Sequence, residues 1–152
     1  MAISSSEMVK VQFYDSDVGY ENLWATPITG DQYRLENVPF FIYGVSLNDI
    51  VQALPNPEGR LQFIKVVERS GSRTIRVRPD QFTIDQKNGN ELVRRLEALG
   101  CRIEVKMPRL IAVDVPKEVQ VENVTGFLAS DGIPWEYANP TWEEIHEGTA
   151  II

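Results

Sequence analysis

Chemistry in this chain has few places to reside. The turn-like stretch YDSDVGYEN, residues 14–22, clusters Asp15, Asp17 and Glu21, and carboxylates gathered on one loop are the usual ligands of a hard cation. The spacing does not match a calcium loop: Gly19 stands at loop position five and Thr26 where a bidentate glutamate is required. A solvated turn is expected. His146 is the only histidine, and a metal site needs several ligands while a histidine base needs a nucleophile and an orienting acid. Cys101 is the only cysteine; no intramolecular disulfide can form, and with Arg102 as its one cationic neighbour it reads as a small buried hydrophobe.

The stretch ERSGSRTIRVR, residues 68–78, offers more. Ser70 and Ser72 flank a glycine, with Arg73, Arg76 and Arg78 following, a pattern able to hold an anionic metabolite or nucleotide. It lacks the glycine-lysine-serine ending of a P-loop and the three-glycine dinucleotide fingerprint, and a plain linker accounts for Ser-Gly-Ser equally well. No nucleophile, base and orienter can be assembled anywhere. The chain therefore reads as a non-enzyme with no cofactor and no metal.

Charge separates the chain into three parts. Residues 1–72 carry 5 basic and 9 acidic side chains, residues 73–109 carry 9 and 5, and residues 110–152 carry 1 and 8, for a net charge of −7. An acidic whole speaks against nucleic acid, where phosphate neutralisation supplies most of the affinity. It fits a basic protein partner or solubility alone. In the acidic end, Trp135, Tyr137 and Trp142 stand among Glu136, Glu143, Glu144 and Glu147, the mixture of aromatic anchors and rim charge that makes an interface.

The elements that must position these residues divide into a β-rich half, 1–72, a mixed half, 73–138, and an acidic tail, 139–152. In the first half VKVQFYD, ENLWATPI, DQYRLENV, PFFIYGV, DIVQALP and RLQFIKVVERS are short apolar runs spaced about ten residues apart by turn residues, the pattern of a small barrel or bent antiparallel sheet. Within NVPFFIYGVSLNDIVQAL, Gly44 marks a turn and Ser46 with Asp49 has capping-box spacing, which predicts one helical turn before Ile50. In the second half RTIRVRP alternates as a strand. ELVRRLEALG places Leu92, Val93, Leu96 and Leu99 on one helical stripe that stops at Gly100.

CRIEVKM and LIAVDVP form a hairpin, VQVENVTGFLASDG a second helix with Val121, Val124, Phe127 and Leu128 inward, and IPWEYA a last strand. Strand, helix, strand, strand, helix, strand is the order of a ferredoxin-like βαββαβ sandwich in an α+β protein. Its second face would display Thr74, Arg76, Arg78, Arg102, Glu104 and Lys106. The other half of the chain, or water, must cover it. NPTWEEIHEGTAII predicts a docked helical turn and a tail.

LWATPITGDQYRLENVPFFIYGVSLNDIVQA followed by VVERSGSRTIRV resembles a bacterial family of small soluble proteins known only as a domain of unknown function. The resemblance rests on Leu23, Trp24 and Ala25, on Tyr33, Leu35, Asn37, Pro39 and Phe40, and on Gly44, Asp49, Val51, Ser70, Gly71 and Arg76, and it extends to about residue 138. It implies a fold and a bacterial origin, and it brings no catalytic residues.

In type, a small acidic chain without catalytic motifs is similar to immunity proteins, which plug the basic clefts of toxins. The expectation is a non-catalytic inhibitor of a cognate toxin domain, with a small-ligand regulatory domain as the alternative. MAISSSEMVK has no signal-like apolar core and no run of about 18 apolar residues exists, so no membrane and a reducing cytoplasm are expected.

Overall fold

The structure, a computed structural model, describes residues 7–78, 88–106 and 110–147. It is a mixed α+β protein, mostly strands, with a closed five-stranded barrel and a second, four-stranded antiparallel sheet.

The barrel runs β1 (Val9–Asp15), β2 (Gly19–Thr29), β3 (Gln32–Leu35), β4 (Ile50–Pro55) and β5 (Leu61–Glu68). Neighbours pair antiparallel except where β1 meets β5 in parallel, Val11 opposite Leu61, which closes the cylinder and leaves no open edge. Alternation along the strands sends Val11, Phe13, Leu23, Ala25, Leu35, Val51 and Ala53 inward. Phe13 stacks on Phe63 at 4.6 Å between ring centroids.

The second sheet has the order β7-β8-β6-β9, from β6 (Arg73–Val77), β7 (Arg102–Lys106), β8 (Leu110–Val115) and β9 (Trp135–Asn139). The helices α1 (Asn88–Ala98) and α2 (Val121–Ser130) cover one face. Leu92 and Leu96 from α1 and Val121, Val124 and Leu128 from α2 pack on Ile75, Val77, Ile111, Val113 and Val115. Gly100 ends α1 at φ +103°, and a Cβ there would lie 2.7 Å from Val119 Cγ2. Cys101 is buried in this core, and burial, with Asp114 adding to it, pushes its thiol up to about 11. A short α3 (Trp142–His146) follows β9, held by a full capping box between Thr141 and Glu144. Met107, Pro108, Arg109 and the tail beyond Glu147 lie outside the described residues.

PFFIYGV departs from the sequence reading. It is not a strand: residues 37–49 form an irregular, largely buried connection between β3 and β4. Nor is there a helical turn before Ile50. Ser46 N–H donates to Asp49 Oδ2 at 2.9 Å and Asp49 N–H to Ser46 O at 3.1 Å, a bare turn with Asn48 at φ +70°. Gly44 does take the conformation expected of it, φ +86°.

The connection fails to extend as a strand because side chains from both sheets satisfy its backbone. Its apolar residues also divide between two cores. Ile42 and Val45 plug the barrel, whereas Val38 and Leu47, with Phe40, pack against Ala112 on the second sheet.

The face expected to display Thr74, Arg76 and Glu104 is therefore covered by this connection. Asp114, fully buried on that face, bonds the Arg102 Nε at 3.1 Å across the strand pair. Burial raises its carboxyl above 3.8, against the Ser72 hydroxyl and Arg102. A raised carboxyl binds its proton more tightly folded than unfolded, so its contribution to stability is complete below pH 3.8 and is lost as pH rises through the folded value. Urea titrations of Asp114→Asn across that window are expected to show a shallower decline than wild type, by up to about 1.4 kcal/mol per pH unit. Parallel curves would mean Asp114 ionises as freely folded as unfolded.

Candidate functional site

Two clusters of polar and aromatic residues stand out, one inside the molecule and one at its surface.

The internal cluster joins the two sheets. Glu21, on β2, accepts N–H bonds from Phe40, Phe41 and Ile42 at 2.7, 2.9 and 3.0 Å. Arg76, 1% exposed, points from β6 into the same loop and donates to the carbonyls of Phe41 and Ile42. Glu104 accepts from the Val38 N–H, and burial raises its carboxyl against that bond. Ser46 Oγ meets Thr74 Oγ1 at 2.7 Å and accepts from Asn139 Nδ2 at 2.7 Å. Asp49, buried and raised by its burial, accepts from the N–H groups of Ser46 and Ser70. This is a structural weld, its donors and acceptors spent largely on the backbone of the loop.

Internal hydrogen bonds occupy most of the anion-binding set read from the sequence. Ser70 Oγ donates to Leu47 O at 2.8 Å and accepts from the Ser72 N–H. Arg73 bonds the carbonyls of Val115, Pro116 and Val119 on the helix side of the sheet, while Arg76 lies on the opposite face. The strand's two-residue period separates them, so the arginines do not converge. Only Arg76 and Arg78 share a hollow, of about 200 Å³, beside Tyr43 and Glu136.

The carboxylates of the 14–22 turn likewise separate. Asp15 Oδ1 accepts from the N–H groups of Asp17 and Val18, and Glu21 belongs to the weld. Among the described residues no group of three or more His, Cys, Asp or Glu side chains is placed so that it could hold a metal ion.

The surface cluster is a groove of about 650 Å³ beside β9 and α3. Four aromatic residues line it: Tyr43 from the loop, Trp135 and Tyr137 from β9, and Trp142 from α3. Three carboxylates join them, Asp17 from the β1–β2 turn, Glu136 and Glu143. Trp135 and Tyr137 meet edge to face at 4.8 Å and rest partly on the core, so they are fixed walls. Trp142 is different: 57% exposed, it stacks on His146 at 3.7 Å. Glu136 accepts from Tyr43 Oη at 3.1 Å and lies 3.9 Å from the Arg76 guanidinium, which sits 4.7 Å from the Tyr43 ring. Burial, with Glu136 adding to it, raises the Tyr43 hydroxyl, which therefore stays protonated and donating.

Of the acidic interface set, the groove thus brings together Trp135, Glu136, Tyr137, Trp142 and Glu143. Glu144 faces the helix cap, its Oε1 accepting from Thr141 N–H and Oγ1 at 3.0 Å each. Glu147 ends α3 outside the groove lining. Asp17 and Tyr43, distant in sequence, complete the site, and no spacing rule could have joined them to β9.

A family described as a domain of unknown function (DUF4265) matches residues 21–135. The chain belongs to that family. The matched span of this DUF4265 chain begins at Glu21 of the weld and ends at Trp135, the first residue of β9, so it contains the covering loop and strands β6, β7 and β8 beneath it. No curated protein matches the chain. A solved structure, described as a hypothetical protein from Neisseria gonorrhoeae, is similar at a TM-score of 0.69 and 19% identity, covering 91% of this chain and 95% of that one. That likeness concerns the fold alone. Among the described residues no helix is long and apolar enough to cross a membrane.

Proposed function

We propose that this is a non-catalytic binding protein whose groove takes a basic segment of a partner protein. The observation that carries this is the convergence of Asp17, Glu136 and Glu143 on a concavity walled by aromatic rings and lined, among the described residues, by no lysine or arginine. Cations are attracted both to carboxylates and to ring faces, and a partly desolvated site strengthens both. In its finer form the partner is a toxin domain with a basic cleft, and the chain is a bacterial cytoplasmic inhibitor that occludes it. The order β7-β8-β6-β9 with two helices on one face supports reading the second sheet as a ferredoxin-like sandwich that serves as the platform.

Titration of tryptophan fluorescence with arginine-rich and glutamate-rich peptides at low salt tests the groove. Binding of the basic peptide alone, weakening as salt rises, is expected. Trp142→Ala is expected to weaken it by about tenfold or more while moving Tm by no more than a few degrees, because that ring packs on its own exposed helix. Glu143→Gln should slow association chiefly at low ionic strength. Equal binding by wild type and both variants would remove the groove from the interface.

A second reading, a small anionic ligand, has in its favour the hollow that Arg76 and Arg78 both line. A thermal-shift panel of nucleotides and organic acids addresses it; a ligand at a hundred times its Kd adds about 2.7 kcal/mol.

A further inference from the structure

The groove touches three consecutive residues of β9, Trp135, Glu136 and Tyr137. Successive side chains on a strand point to opposite faces, so a cavity that reaches all three runs along the strand's edge rather than over one face. β9 ends the sheet and pairs with β6 alone among the described strands. The phase of its hydrogen bonds follows from the register. Arg78 N–H donates to Pro134 O at 3.0 Å, and Arg76 stands opposite Glu136, so the bonded pairs with β6 fall at Pro134 and Glu136. The main-chain N–H and C=O groups of Trp135 and Tyr137 therefore face away from β6, toward the free edge of the sheet. The opening closes just beyond, where Gly44 N–H caps Ala138 O and Ala138 bridges to Thr141.

The two edges of this sheet are unlike. β7, the other one, carries Arg102 and Lys106, and charged side chains, lysine above all, are what natural edges use to discourage pairing. β9 carries no basic residue, and acidic side chains line the space beside it.

Resting on the groove reading above, we propose that the basic segment binds in extended form, adding a short fifth strand to the edge of β9 at Trp135–Tyr137. Its backbone pairs with the outward groups of Trp135 and Tyr137. Its alternate side chains, those on the groove side, place a lysine or arginine among Tyr43, Trp142, Asp17 and Glu143. Main-chain bonds supply affinity without regard to sequence, and the acidic aromatic pocket supplies the preference for a cation.

A seven-residue peptide alternating arginine with threonine is the probe, compared with two analogues N-methylated at alternate amides in the two opposite phases. One phase removes the N–H groups that pair with β9; the other methylates amides facing solvent. The expected result is a loss of tenfold or more for one analogue and parent-like affinity for the other, with the Trp135 and Tyr137 amides gaining protection from hydrogen exchange when the parent binds. Equal affinity of all three peptides, with no added protection, overturns strand addition while leaving the groove as a side-chain site. Failure of the parent peptide to bind at low salt overturns both.

Discussion

Arg76→Leu is expected to be among the most damaging single substitutions in this protein, lowering stability by about 3–5 kcal/mol, since two loop carbonyls lose their donors and each unsatisfied buried group costs about 1–3 kcal/mol. The guanidinium donates to the carbonyls of Phe41 and Ile42, lies 4.7 Å from the Tyr43 ring and 3.9 Å from Glu136. Leucine fills much of the volume and leaves both carbonyls buried without donors. For a chain of this length the loss corresponds to a fall in Tm of about 10 °C. Hydrogen exchange locates it: amides of the 37–49 connection should open first, because that segment has no ladder of its own. A variant that melts within a degree or two of wild type would show that the loop is held by its apolar contacts alone.

Glu21→Ala should follow closely, with a loss of about 3 kcal/mol. Its carboxylate accepts three backbone N–H groups of the same loop, and each buried donor left unpaired carries a desolvation cost of about 1–3 kcal/mol, softened where water can enter. The two variants meet at Phe41 and Ile42, which Glu21 holds by their N–H groups and Arg76 by their carbonyls, from different sheets. Combined, they are expected to cost less than their sum by 1 kcal/mol or more, since a loop already released by one has little left to lose. Urea unfolding of the two singles and the double completes the cycle. Strict additivity would mean that Glu21 and Arg76 stabilise separate features.

The weld explains why the longest apolar stretch of the chain misleads as a sequence. PFFIYGV has strand composition, and nothing local says that Phe40, Phe41 and Ile42 find their backbone partners on Glu21 and Arg76, 19 to 35 residues away. The same contacts account for the arginines read as an anion site. Arg73 and Arg76 look adjacent in RTIR, but a strand places them on opposite faces, where each is engaged by carbonyls.

Periodicity by itself determined the barrel strands VKVQFYD, ENLWATPI, DIVQALP and RLQFIKVVE, the two helices with their Leu92–Leu96 and Val121–Leu128 stripes, the strand RTIRV and the hairpin after Cys101. These are local patterns of alternate or helical burial, and each is written within ten or so residues. Composition likewise picked out Trp135, Glu136, Tyr137, Trp142 and Glu143, because they crowd one acidic stretch. Only the tertiary structure decided that the barrel closes, that residues 37–49 cover the polar face of the second sheet, and that Tyr43 and Asp17 join β9 and α3 around one groove. The physical reason is that backbone donors and acceptors can be satisfied by any side chain that reaches them. Which one reaches depends on how two sheets pack, and that is a property of the whole chain.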